Sequence, residues 1–321
     1  MTVIPKNIIS AKPIKNQKSK IIICCWLLIC GAISAQQIPV STIFVENPFA
    51  FNPAVAGSDN GFKLRTDHRI QWMGFGDGPF TNMVSGYGPH RSRPMGYGVN
   101  LTVDKTGLIS MLKANAGYAY NIFITSDVRA SFGLNLGFIQ YSVDGTQFEH
   151  MTDPNDPKAP ETMMSSFNPD AGAGLYVYHY DWYFGLSAQQ LFSNNVKFSK
   201  DAPKDPENKL KTHFFGYGGY KFYSNKLVIE PAILARMVSS LPMQFDINAR
   251  VMYNTQIWGG ISARNTLDSF NDLSLIFGYI HERRISISIA YDFIFADIRS
   301  YTPGTIEIVL GYNFDDLKKG R

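Results

Sequence analysis

Cysteine is nearly missing from this chain. Its three copies, Cys24, Cys25 and Cys30, all precede Gly31. The rest of the sequence therefore has no disulfide framework and no thiol chemistry. Nor is Cys30 a lipid-attachment site, because Ile29 and not a small residue precedes it. Charge is sparse, at 17% of residues. After residue 36 there is no apolar run of about 18 residues, which excludes a membrane-spanning helix, and helical periodicity is weak throughout. Catalytic signatures are lacking too: no Gly-x-Ser-x-Gly, no Walker A loop, no Gly-x-Gly-x-x-Gly and no His-Glu-x-x-His. The six histidines, His68, His90, His150, His179, His213 and His281, lack metal-ligand spacing. "DPNDPK" (Asp153 to Lys158) has oxygens enough for calcium, but its prolines and missing distal glutamate fit a stiff solvated loop tip instead. No enzyme activity, metal or cofactor is expected.

The one strongly basic region is at the start. Lys6, Lys12, Lys15, Lys18 and Lys20 precede the apolar "IIICCWLLI" and the small-residue "GAISA" ending at Ala35. This is the pattern of a secretory signal peptide over residues 1–35. The apolar core is too short to span a bilayer comfortably. Of the 30 basic residues five leave with it, against 26 acidic, so the remainder carries about −1. The calculated pI of 8.8 is therefore no sign of nucleic-acid binding.

What the sequence has is aromatics, at 14%, and period-two alternation. In "TIEIVLGYNF", Ile306, Ile308, Leu310, Tyr312 and Phe314 share one face, while Thr305, Glu307, Val309, Gly311 and Asn313 share the other. A lipid-facing barrel strand with aromatics at the membrane interface needs this division. The pattern returns at Leu275/Phe277/Tyr279, Ile285/Ile287/Ile289/Tyr291/Phe293, Phe132/Leu134/Leu136/Phe138, Trp182/Phe184/Leu186/Ala188 and Tyr97/Val99/Leu101/Val103. Short turns are expected near Tyr180-Asp181, Ser224-Asn225, Asn254-Thr255 and His281 to Arg283. Longer loops are expected at Ser142 to Pro169, Ser193 to Lys209 and Ala296 to Pro303. Short and long connections then alternate as in an outer-membrane barrel. A soluble sandwich would turn its apolar face inward, and a propeller would repeat at a fixed period. Here the less apolar face carries Gly, Ser, Asn and isolated charges such as Lys113, Asp246 and Arg250, which suit a wet lumen. The fold class is all-β: a transmembrane antiparallel β-barrel of about 14 strands over residues 62–314, with a periplasmic tail at 315–321. The Gly-rich "GFGDG" and "GYGGY" serve turns and curvature, not phosphate binding.

Residues 36–61 form a separate short piece containing "ENPFAFNPAVAGSDNG". Pro48 and Pro53 exclude a central strand. Asn52 suits a cap, Pro53 the first helical position and Gly57 the exit. The reading is a single-turn helix held by Phe49 and Phe51, lying as a plug or rim segment at the barrel.

Four blocks in order resemble the PorP/SprF family, membrane proteins of the type IX secretion system of Bacteroidetes. They are "FVENPFAFNPAVAGS" (Phe44 to Ser58), "HRIQWMGFGDGPFTNMVSGYGP" (His68 to Pro89), "DKTGLISMLKANAGYAYNI" (Asp104 to Ile122) and "TPGTIEIVLGYNF" at the end. The resemblance implies an outer-membrane barrel without enzyme activity. It implies a role in secreting or attaching large surface proteins, such as the adhesins of gliding motility. Implied partners are the periplasmic ring and peptidoglycan-binding subunits of that machine, its outer-membrane translocon, the cargo and the lipid bilayer. Asn47, Pro48, Asn52, Pro53, Gly57, Gln71 and Trp72 are its motif residues and the expected docking positions. Further contact surfaces are the two longest loops and the tail. The alternative is a passive or ligand-selective outer-membrane channel.

Overall fold

The structure is a computed structural model describing residues 38–39, 41–144, 163–198, 209–239, 241–266 and 269–314. The expected signal peptide, the tail at 315–321 and the Asp153–Lys158 loop lie outside the described residues. Fifteen strand segments follow in order: β1 (Lys63–Ile70), β2 (Phe80–Pro89), β3 (Met95–Thr106), β4 (Ile109–Phe123), β5 (Arg129–Val143), β6 (Met164–Tyr178), β7 (Trp182–Gln189), β8 (His213–Tyr220), β9 (Phe222–Ser224), β10 (Leu227–Val238), β11 (Gln244–Tyr253), β12 (Ile257–Thr266), β13 (Phe270–His281), β14 (Ile285–Ile294) and β15 (Thr305–Asn313). β8 and β9 both pair with β10 and are one strand interrupted at Lys221. Each strand pairs antiparallel with its sequence neighbours, and β15 closes on β1 from Lys63↔Asn313 to Ile70↔Ile306. The result is a closed 14-strand barrel, which leaves no sheet edge at its seam.

Alternation decides which side each residue takes. Phe132, Leu134 and Leu136 on β5, Val99 and Leu101 on β3, and Ile285, Ile287 and Ile289 on β14 are exposed on the outside. Their neighbours Ser131, Asn135, Asn100, Ser286 and Ser288 are buried inside. Aromatics gather toward the ends of this apolar band. Tyr118, Tyr120, Tyr253 and Tyr279 lie toward one end, and Phe80, Phe270, Phe293 and Phe295 toward the other. This is an outer-membrane-type barrel with its two aromatic girdles.

At one end, here the turn end, connections are tight. Asn225, the pair Asn254-Thr255 and the pair Glu282-Arg283 adopt positive φ, the conformation tight hairpin turns require. All four expected short turns fall here. The loop end carries the connections Gln71–Pro79, Gln190–Thr212 and Phe295–Gly304. One expectation is corrected. The loop placed at Ser142 to Pro169 is partly strand, because β5 continues to Val143 and β6 starts at Met164. Pro169 marked that stretch as loop, yet its nitrogen faces a side of β6 that β7 does not reach, so no ladder bond is lost. "GFGDG" lies in the β1–β2 connection and "GYGGY" within β8.

The apolar band gives a direct test. Leu134→Arg, near the middle of the outer face of β5, should destabilise the barrel by about 2–4 kcal/mol. Urea unfolding in lipid vesicles measures this, and Ser131→Ala on the inner face, which removes a hydroxyl that makes no hydrogen bond among the described residues, should leave the midpoint almost unchanged.

Candidate functional site

The lumen is occupied by the chain's own N-terminal segment, and three zones hold it. The first is near the loop end. The carboxylate of Glu307, 0% exposed, accepts the backbone N–H of Thr42 (2.9 Å), the N–H of Ile43 (2.9 Å) and the hydroxyl of Ser41 (2.7 Å). Arg69 balances its charge at 2.6 Å and binds Asp292 at 2.7 Å. Thr42 Oγ1 in turn accepts from Arg69 (2.9 Å) and from Arg264 (3.2 Å), and it donates to Asp292. Arg264 also binds Asp246 at 2.7 Å and Asp272 at 3.3 Å, and Asp246 pairs with Arg236. A single short stretch thus completes a buried network drawn from β1, β10, β11, β12, β13, β14 and β15. Charges this deep persist only when paired and fully hydrogen-bonded.

The second zone is toward the turn end. Glu46 binds Arg250 at 2.6 Å, and Arg250 binds Glu230 at 2.6 Å. Arg65 donates to the Glu46 carbonyl at 3.1 Å. Burial pushes the Glu46 carboxyl up, but Arg250 and then Arg65 outweigh it and hold it below the ordinary glutamate value. A depressed acid stabilises the bound state above its ordinary pKa, and the stabilisation is lost as pH falls through the depressed value.

The third zone is the double Asn-Pro motif. Two short 3-10 turns form, Pro48–Ala50 and Pro53–Val55. Asn52 caps the second, with Oδ1 accepting the Ala54 N–H at 2.9 Å. Its Nδ2 donates to the Leu175 carbonyl (3.1 Å) and to the Tyr217 hydroxyl (3.2 Å). Asn47 does not cap; it donates to Ser85 at 2.9 Å. Phe49 stacks on Tyr87 with centroids 4.8 Å apart, and Phe51 meets Tyr217 edge-on at 5.1 Å. The Phe51 carbonyl accepts from Ser187 (2.6 Å) and Gln189 (3.0 Å).

Glycines in the wall make this approach feasible. A Cβ at Gly96 would meet the Ala56 backbone, one at Gly133 the Ala54 backbone, and one at Gly174 the Asn52 side chain. Gly57 leaves the segment at φ +77°, where a side chain would be strained and would also meet Gly96. A small cavity of about 50 Å³ remains between the segment and the wall, lined by Phe44, Phe51, Met83, Met111, Phe215 and Leu234, among others. At the loop end Val196 and Leu210 pack onto Met111 and Ile139.

The motif residues divide. Asn47, Pro48, Asn52, Pro53 and Gly57 lie together in the lumen, where the single expected turn is two, Pro48–Ala50 and Pro53–Val55. Gln71 and Trp72 lie apart from them in the β1–β2 connection. There the Gln71 N–H pairs with the Pro79 carbonyl and the Trp72 N–H with Thr305 Oγ1. The wet-lumen expectation is corrected for the charges that prompted it. Lys113 is bound to Asp170 at 3.1 Å, Asp246 to two arginines, and Arg250 to the segment itself. Sequence reasoning missed Glu307, Arg69, Asp292 and Arg264 as the segment's holders. Their only signal was a charge at an inward position of a strand.

A closed meander barrel with apolar outer band and filled lumen defines an outer-membrane-type barrel protein. Solved structures of that class are similar. The "CymD monoaromatic hydrocarbon channel" matches at TM-score 0.52 and 12% identity, covering 88% of this chain and 95% of that one. A "TodX deltaS2S3 mutant monoaromatic hydrocarbon channel" matches at TM-score 0.50 and 12% identity, covering 82% and 92%. At this identity the likeness is one of fold alone. No curated protein matches. The family model for "Type IX secretion system membrane protein PorP/SprF" matches residues 33–312. The chain belongs to that family.

Three outcomes follow from this geometry. Glu307→Ala leaves Arg69 and two backbone N–H groups without their acceptor, and should cost about 3–5 kcal/mol in vesicle unfolding, more than Glu307→Gln. Gly133→Val should expel the Pro53–Val55 turn while the barrel still inserts. A cysteine at Val55 would then react with a thiol reagent in the Gly133→Val background and stay protected in the parent. Acidification below the ordinary glutamate range, about pH 4.3, should loosen the segment. Thiol labelling against pH reads this, and Glu46→Gln should flatten the transition.

Proposed function

We propose that the protein is a non-enzymatic outer-membrane component of the type IX secretion system. It supports secretion or surface attachment of a large cargo protein, such as a gliding adhesin, and it docks periplasmic subunits of the machine. Export by the 1–35 signal peptide would bring it to the outer membrane, with the turn end in the periplasm and the loop end outside. The observation that carries this reading is a lumen filled by a segment bonded to the wall at both ends, in a chain that belongs to this family. A passive pore needs an open lumen, and the buried ion pairs and glycine contacts favour a fixed scaffold instead. The docking surfaces in this proposal are the Asn47–Gly57 region as seen from the periplasmic mouth, the Gln71-Trp72 connection, the two longest loops and the tail.

Comparison of secreted and surface proteins with and without the gene tests the proposal. Loss of one or a few large surface proteins, with small-solute uptake unchanged, is the expected result. Normal secretion with failed growth on a particular nutrient would make the barrel a transporter and sink the secretion reading.

A further inference from the structure

The barrel rim is uneven at the loop end. β4, β5 and β6 each run 15 residues, whereas β7 runs only 8. At about 3.3 Å per residue, β6 rises well past the end of β7. β5 accompanies β6 along its whole length, from Met164 to Tyr178, but β7 joins it only from Ala173. Among the described residues, the first half of β6 therefore has no strand partner on one side.

Parity identifies the groups on that edge. The Ala171 carbonyl accepts the Leu191 N–H at 3.0 Å, and the Pro169 carbonyl accepts from Asn194 Nδ2 at 2.8 Å. Odd positions thus face the open side, and Pro169, with no N–H to offer, sits at one of them. The next odd positions are Phe167 and Ser165. Among the described residues no backbone hydrogen bond reaches either from that side. Their outward surface is distinctive as well. Phe167 is 65% exposed, and it stacks on Phe138 at 4.9 Å. Just above, Ser142 and Ser165 face each other across the ladder, where the apolar band gives way to polar residues. Ser166 and Asn168 alternate inward and are buried, where Ser166 Oγ accepts the Lys197 N–H at 2.9 Å and the Asn168 amide at 3.2 Å, so the inner side is already taken and only the backbone edge is unpaired among the described residues. The positions on this edge carry no lysine or other charge of the sort that discourages strand pairing.

We propose that the Ser165–Pro169 edge of β6 accepts an extended segment of a partner protein as an added β-strand. Backbone hydrogen bonds would supply affinity. Alternate side chains would supply selection through apolar contacts over Phe138 and Phe167 outside. A strand is the occupant these groups define, because successive outward N–H and C=O groups at two-residue spacing match another extended backbone. That the partner is the exported cargo rests on the function proposed above; the edge itself does not.

The test places a photo-crosslinking residue at Ser165 of the full-length protein in cells and compares Phe167→Pro with Phe167→Leu. Proline removes an N–H on the open side without touching the β5 ladder, and leucine preserves it. The expected result is an adduct with a large secreted protein. Phe167→Pro should lower adduct and cargo display about tenfold, the effect of one or two lost backbone hydrogen bonds. Phe167→Leu should keep both, with heat-modifiable barrel mobility unchanged throughout. Should Phe167→Pro fail to insert, amide exchange at Ser165 and Phe167 decides instead: protection only in the cargo-bound state supports the edge. Undiminished cargo display in Phe167→Pro, or an adduct formed only with residues 199–208 of the same chain, overturns it. If deleting the gene abolishes display but Phe167→Pro does not, the edge is wrong and the secretion function stands. If deletion leaves display intact, the secretion function is what fails.

Discussion

The interior of this barrel depends on the pairing of Glu307 with Arg69. A carboxylate fully removed from water must find a cation and donors for its remaining lone pairs. Arg69 supplies the cation, but the wall alone supplies too few donors. Ser41, Thr42 and Ile43 complete the shell. The N-terminal segment is therefore part of the electrostatic balance of the wall, not an object resting in a finished pore. The same logic repeats at Arg250, whose positive charge is shared between Glu230 of the wall and Glu46 of the segment.

Beyond these polar clamps the contact is steric. The Asn-Pro turns lie against Gly96 and Gly133, where backbone meets backbone, and against Gly174, where the Asn52 side chain takes the space of a Cβ. Aromatic contacts from Phe49 and Phe51 then lock the turns laterally. Polar clamps followed by close-packed turns hold the segment in one pose.

The strands were legible because alternation and turn chemistry are local. Asn254-Thr255 and Ser224-Asn225 announce turns within a few residues, and each strand's outward face is written in every second position. The capped Asn52-Pro53 turn was legible for the same reason. The holders of the segment were not. Arg69 and Glu307 are 238 positions apart, and nothing in either neighbourhood names the other. Parity could say that Glu307 faces inward; only three-dimensional closure could say what it faces. The β6 overhang was hidden because Pro169 argues for loop unless one already knows which side of the strand is unpaired.

The segment that comes first in the chain seats against a strand that comes last. Thr42 and Glu307 are 265 positions apart, and that strand, β15, is also the one that seals the seam with β1. Contacts of such long range form late, because the intervening chain must be ordered before they gain anything. The segment is fully held only where β15 is in place, so one strand serves both the seam and the segment. A cylinder that closed without this segment would hold a Glu307 carboxylate paired to Arg69 but short of the three donors that Ser41, Thr42 and Ile43 supply.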